Sequence, residues 1–204
     1  VDLYLVHWPG SYFNNTEKSA RLVEFMNTLK KSGKAITIGL SNFQSQDLTL
    51  LGDKLKTFSM NEVPYSLLDR AYEGDSLSLC KNAEIPYMAF SPTAQGLLAK
   101  PMSREDLKMP TRKHHFLYQD PVYPHTRKVW ETVRDVAKEL GRKPIEVALA
   151  WVLTRDNIFT TIVGSRKPEQ VQEFAKATEL KLSPSQLQRL TTASDQFPMV
   201  KKGH

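Results

Sequence analysis

The chain has 204 residues, 40% of them hydrophobic and 25% charged, the balance of a globular protein rather than of a disordered one. No apolar run reaches the roughly 18 to 20 residues that span a bilayer, so no membrane partner is expected and a cytoplasmic location is. The formal charge of +6 is scattered over LKKSGK, TRKHH, SRK and KKGH without a dense stripe or interleaved aromatics, which argues against nucleic acid and leaves local anion sites open.

The first element, DLYLVHW, is a short apolar run of strand character. SARLVEFMNTLKKSGK follows with Leu22, Val23, Phe25, Met26 and Leu29 at helical spacing, and Gly33 punctuates its end. AITIGLSN reads as a strand, QSQDLTLLGDKL as a helix, FSMNEVPY as a strand, SLSLCKNAEI as a helix and IPYMAFSP as a strand. The single cysteine, Cys80, excludes an internal disulfide and suits a packed small hydrophobe. Residues 100–125 read as irregular and proline-containing. Two helices, RKVWETVRDVAKEL and PIEVALAWVLTRD, come next, then a last strand, FTTIVGS, and the helices PEQVQEFAKATEL and PSQLQRLTTASDQF.

Alternating strands and helices with short connections predict an α/β fold in which helical crossovers join parallel strands. A doubly wound sheet that binds a dinucleotide would show G-x-G-x-x-G after its first strand, and the sequence has none. A (βα) barrel needs no such loop and places its chemistry at strand ends. The predicted strands end in polar or special residues: His7, Ser41 with Asn42, Asn61 with Glu62, Phe90 with Ser91, and Gly164 with Ser165.

The last strand leads into GSRKPEQVQEF. Pro168 suits the first helical position, which leaves Lys167 at the N-cap and Arg166 before it. Lysine offers no acceptor there and its charge opposes the helix dipole, so the turn caps poorly unless an anion sits on it. Ser165, two cations and free backbone N–H groups suit a phosphate monoester. The pair His114–His115 with His125 lacks cysteine or spaced acidic partners, and no metal site is expected.

The ordered set LYLVHWP, GKAITIGLSNF, NEVPYS, AFSP and IVGSRKPEQVQEF resembles the aldo-keto reductase family, from its fourth barrel strand through the eighth and the C-terminal helices, over essentially the whole chain. The resemblance implies a parallel (βα) TIM-type barrel, here incomplete with about five strands plus C-terminal helices, as one domain over residues 1–204. It implies an oxidoreductase that reduces a small-molecule aldehyde or ketone by hydride transfer from a nicotinamide dinucleotide, NADPH. By that resemblance His7 matches the histidine that orients and polarises the carbonyl, and Ser41, Asn42 and Glu62 match residues that bind the nicotinamide carboxamide. Phe90 matches the aromatic platform for the ring, Ser91 lies by the pyrophosphate, and Gly164, Ser165, Arg166, Gln170 and Glu173 fall in the segment that holds the adenosine and its 2′-phosphate.

Three departures accompany the resemblance. Glu62 stands where the family commonly has glutamine, and Phe174 where an asparagine commonly meets adenine. Of the family's aspartate, tyrosine, lysine and histidine tetrad only the histidine, His7, has a match. A start on the fourth strand without an initiator methionine is expected of a segment of a longer protein, with little turnover by itself. A non-catalytic NADPH-binding module and an inactive truncated member are the alternatives, and the oligomeric state stays open.

Overall fold

The computed structural model describes residues 1–10 and 15–201. The chain divides into two compact units, one of residues 1–63, 72–88 and 157–160, the other of residues 64–71, 89–156 and 161–204. Five strands, β1 (Leu3–Val6), β2 (Thr37–Ser41), β3 (Asn61–Pro64), β4 (Tyr87–Phe90) and β5 (Ile158–Ile162), form one sheet in chain order. This is the expected α/β architecture with five strands.

In the first unit β1 pairs with β2 and β2 with β3, both in parallel. The Asn61 N–H donates to the Pro86 carbonyl at 3.1 Å and the Tyr87 N–H to the Asn157 carbonyl at 2.7 Å, which extends the sheet to the starts of β4 and β5. Helix α1 (Thr16–Lys31) crosses from β1 to β2. Asn15 caps it by accepting the Lys18 N–H at 2.9 Å, and Glu17 in the first turn with Lys30 and Lys31 in the last complement its dipole. Helix α2 (Ser45–Leu51) stops short of the expected length, because Gly52 takes a φ of 51° and the chain continues as a 3-10 turn, Gly52–Thr57. Helix α3 (Asp75–Asn82) leads into β4 and buries Cys80 completely.

The second unit holds the longer helices, α5 (Tyr123–Glu139), α6 (Pro144–Leu153), α7 (Pro168–Ala175) and α8 (Pro184–Asp195), after the short α4 (Pro110–Lys113). Four of these five begin with proline as their first residue and α5 carries Pro124 as its second, positions where the missing N–H costs nothing. That is why α5 starts before the expected Arg127. Val129, Val133, Val136 and Ala137 bury one stripe of α5, while α6 is buried on nearly every side. Residues 100–125, expected to be irregular, contain single turns at Asp106–Lys108, Pro110–Lys113 and Phe116–Tyr118. Asp106 organises them: it accepts from the Ser103 N–H at 2.9 Å, the Ser103 hydroxyl at 2.7 Å and Lys100 Nζ at 3.1 Å, and pairs with Arg112. Among the described residues no helix is long and apolar enough to cross a membrane.

Candidate functional site

The strand register of the first unit positions its candidate residues. Leu5 pairs with Gly39, and a Cβ on Gly39 would meet Leu5 Cδ2 at 2.7 Å and the Met60 carbonyl at 3.0 Å, so a side chain there would push the Leu5 side chain aside and crowd the Met60 carbonyl, and glycine avoids both. Ser41 pairs with Glu62, and His7 follows directly after the last β1–β2 pair, Val6 with Leu40.

Asn42 ties these residues together. Its Nδ2 donates to the His7 carbonyl at 3.0 Å and to Ser41 Oγ at 3.0 Å, and its backbone N–H donates to the Glu62 carbonyl at 2.8 Å. Asn42 is held at a φ of 65°, a region that costs a non-glycine residue free energy and recurs at functional sites. The Asn61 side chain, 0% exposed, donates to the Phe43 carbonyl at 2.9 Å and accepts its N–H at 3.4 Å, and the Tyr72 hydroxyl donates to the Asn42 carbonyl at 3.2 Å. Asn42 is only 4% exposed, yet its Oδ1 is buried with no hydrogen-bond partner. A buried acceptor left unpaired costs about 1 to 3 kcal/mol, and a ligand that donates there recovers that loss.

Electrostatics mark Glu62. Burial pushes its carboxyl above the usual range, and the charge of His7 acts in the opposite sense. His7 is exposed and its ring lies 6.0 Å from that of Trp8.

In the second unit, Phe90 is half-buried at the end of β4 and its carbonyl accepts the Tyr65 N–H at 3.1 Å. The loop that follows is contorted, with positive φ at Ser91 (52°), Ala94 (49°), Gln95 (58°) and Gly96 (95°). Of these four, the sequence reading names Ser91; Gly96 is the local mark of such a turn.

The N-terminal turn of α7 lies in the same unit. Lys167 is its N-cap and Pro168 its first residue, as expected. The backbone donors are not left for an anion alone: Gln170 Oε1 accepts the N–H of Arg166 at 2.8 Å and of Lys167 at 3.1 Å. A side chain from inside the helix thus replaces the missing N-cap acceptor, a correction to the expectation of free N–H groups. Ser165 Oγ donates to the Lys167 carbonyl at 2.8 Å, and the Arg166 guanidinium lies 3.3 Å from Met109 Sδ. Glu173, a turn further along, pairs with Lys143 Nζ at 2.5 Å. Gly164 is exposed with open space around its Cβ position.

A sequence model of the Aldo/keto reductase family matches residues 1–195. The chain belongs to this family. It is 27% identical over 187 residues to an NADH-specific methylglyoxal reductase of Escherichia coli, covering 90% of this chain and 56% of the relative. It is 30% identical over 203 residues to an uncharacterised oxidoreductase of Bacillus subtilis, covering 97% of this chain and 59% of the relative. Among solved structures, a thermostable aldo-keto reductase in complex with the inhibitor epalrestat matches with a TM-score of 0.66 and 26% identity, over 95% of this chain and 60% of that one. A glycerol dehydrogenase from Gluconobacter oxydans matches with a TM-score of 0.80 at 21% identity, over 97% and 59%, a likeness of fold alone. The chain thus spans little more than half the length of the relatives it matches.

As an aldo-keto reductase chain it offers donors and acceptors suited to a carboxamide. Ser41 Oγ accepts from Asn42 and keeps its own hydrogen to donate, while Asn42 Oδ1 has an acceptor to spare. A primary amide presents the complement, one carbonyl oxygen and one NH₂ group. Among the described residues no group of three or more His, Cys, Asp or Glu is placed to hold a metal ion; His115 stacks on Phe116 with ring centroids 5.0 Å apart.

Proposed function

We propose that the chain carries the cofactor-binding part of an oxidoreductase that reduces aldehyde or ketone carbonyls to alcohols, with NADPH as the hydride source. The observation that carries this reading is the unpaired, buried Asn42 Oδ1 beside the Ser41 hydroxyl, a donor and acceptor pair that fits the carboxamide of nicotinamide. Ser41 donates to the amide oxygen and Asn42 accepts from the amide nitrogen, which fixes the rotation of the ring. The bound dinucleotide supplies hydride; the protein supplies orientation and charge. His7, whose carbonyl accepts from Asn42, donates an N–H to the substrate carbonyl oxygen and stabilises the negative charge that develops there.

Resemblance to the family assigns further residues to the cofactor. Phe90 offers a ring face against the nicotinamide, and Ser91 a hydroxyl toward the pyrophosphate. Ser165, Arg166 and Lys167 offer a donor and two cations to a 2′-phosphate, the reason to favour NADPH over NADH. Gly164, Gln170 and Glu173 complete the adenosine segment, Gln170 by holding the turn in shape. A relative named as NADH-specific makes cofactor choice the first point to test. A small soluble carbonyl substrate and a cytoplasmic location go with this reading.

The test is a fluorescence titration of the chain with NADPH and with NADH, with a thermal melt in the presence and absence of each. Saturable binding that raises the melting temperature, tighter for NADPH, is expected. Failure of both dinucleotides to bind a folded chain would overturn the reading.

A further inference from the structure

Glu62 introduces a negative charge where the pattern of the site requires only hydrogen bonding. It pairs with Ser41 through the β2–β3 register, and His7 follows directly after the last β1–β2 pair. Two strand spacings of about 4.8 Å put the His7 and Glu62 backbones about 10 Å apart. Asn42 braces both ends, its side chain on the His7 carbonyl at 3.0 Å and its N–H on the Glu62 carbonyl at 2.8 Å. Glu62 is half-buried, which makes its carboxylate a poorly solvated anion in search of a positive partner. On the packed strands the candidates are few: β2 (TIGLS) and β4 (YMAF) carry no charged side chain, and His7, beyond the end of β1, is the titratable group whose charge acts on Glu62.

We propose that Glu62 stabilises the positively charged, oxidised nicotinamide ring relative to the neutral reduced ring, and so drives hydride donation to the carbonyl. This rests on the reading of Ser41 and Asn42 as the carboxamide site. In carbonyl reduction a carbon–hydrogen bond of the dihydronicotinamide breaks. The hydrogen leaves with both electrons to form the new bond at the carbonyl carbon, and the carbonyl oxygen takes a proton from a general acid. The ring is left with one positive charge. A carboxylate fixed beside the ring gains attraction as that charge appears and none before, the condition for lowering a barrier rather than tightening both states alike. A neutral glutamine at the same position offers hydrogen bonds to both states without this difference.

The experiment measures dissociation constants of NADP⁺ and NADPH, and of NAD⁺ and NADH, at pH 8 for the native chain and for Glu62→Gln, with melts to establish folding. The oxidised-to-reduced affinity ratio is expected to fall roughly fivefold to tenfold in Glu62→Gln, the size of one partly screened charge a few ångströms from the ring. Glu62→Asp, which keeps the charge, is expected to retain most of the native ratio. An unchanged ratio in Glu62→Gln, with both forms still bound, would sink the proposal and leave the carboxamide site standing. If no dinucleotide binds the folded native chain, the site reading fails and the proposal falls with it.

Discussion

The side-chain oxygen of Gln170 accepts the backbone N–H of Arg166 at 2.8 Å, and the same oxygen reaches the N–H of Lys167 at 3.1 Å. The α7 start therefore has its own internal cap, supplied by a residue three positions into the helix, and the cationic side chains before it are left facing solvent. Gln170→Ala removes the cap. A loss of about 1 kcal/mol is expected, read as a fall of about 2 to 4 °C in melting temperature. Gln170→Glu, which keeps the accepting oxygen, is expected to retain the native melt while weakening NADPH binding through like-charge repulsion of its phosphates.

Arg166 is exposed, and its guanidinium lies 3.3 Å from Met109 Sδ. If it reads a 2′-phosphate, Arg166→Ala weakens NADPH binding roughly tenfold, the worth of one charged hydrogen bond, and leaves NADH within about twofold. Equal losses for the two dinucleotides would remove the assignment.

Asn61 is fully buried and clamps Phe43 from both sides of its backbone. Asn61→Ala leaves a buried carbonyl and N–H without that partner, and a destabilisation of about 2 to 3 kcal/mol is expected in chemical denaturation. Because the clamp adjoins Asn42, cofactor affinity is expected to fall with it under conditions where the variant stays folded.

The raised carboxyl of Glu62 makes stability depend on pH with a definite sign. A group raised on folding from its ordinary value of 4.5 contributes stability below that value and loses it as pH rises through the folded-state pKa. Glu62→Gln is therefore expected to melt higher than the native chain at pH 8 and level with it at pH 4. A melt difference independent of pH would show that the carboxyl charge is not the cause.

Asp106 has the opposite sign. Burial alone would raise its carboxyl, but the hydrogen bonds from Ser103 and Lys100, with the Lys100 charge, outweigh it and bring the carboxyl down to about 2 from 3.8. Its contribution is present above the ordinary value and is lost as pH falls through about 2. Asp106→Asn is expected to melt below the native chain at pH 7, with the gap closing between about pH 4 and pH 2.

Much of the site could be read before the fold was known, because its parts are local. His7, Ser41, Asn42, Phe90 and Ser91 stand at or just past strand ends, as their polar or aromatic character after an apolar run suggests, whereas Asn61 and Glu62, expected to close a strand, open β3 instead. What stayed hidden was relational. Gly39 carries the only sequence mark of the close approach of the Met60 carbonyl and the Leu5 side chain, more than twenty residues away in one case and about thirty in the other. The Gln170 cap lies within a single turn, yet a glutamine inside a helix carries no local mark that its oxygen turns back to the Arg166 and Lys167 N–H groups. The turns within residues 100–125 leave no mark in the sequence pattern, because their order comes from Asp106 gathering Lys100, Ser103 and Arg112, a cluster with no periodic signature.

By itself the sequence determined the alternation of strands and helices, the proline-led helix starts and the order of motifs that marks the aldo-keto reductase family, since each is written in hydrophobic period, capping residues and short-range spacing. Tertiary structure alone decided that Ser41 stands opposite Glu62, that Asn42 ties the His7 and Glu62 carbonyls together with an acceptor to spare, and that Glu173 pairs with Lys143. Strand register and side-chain partners between distant segments set those relations, and a one-residue slip in register would send each side chain to the other face of the sheet without changing any local pattern.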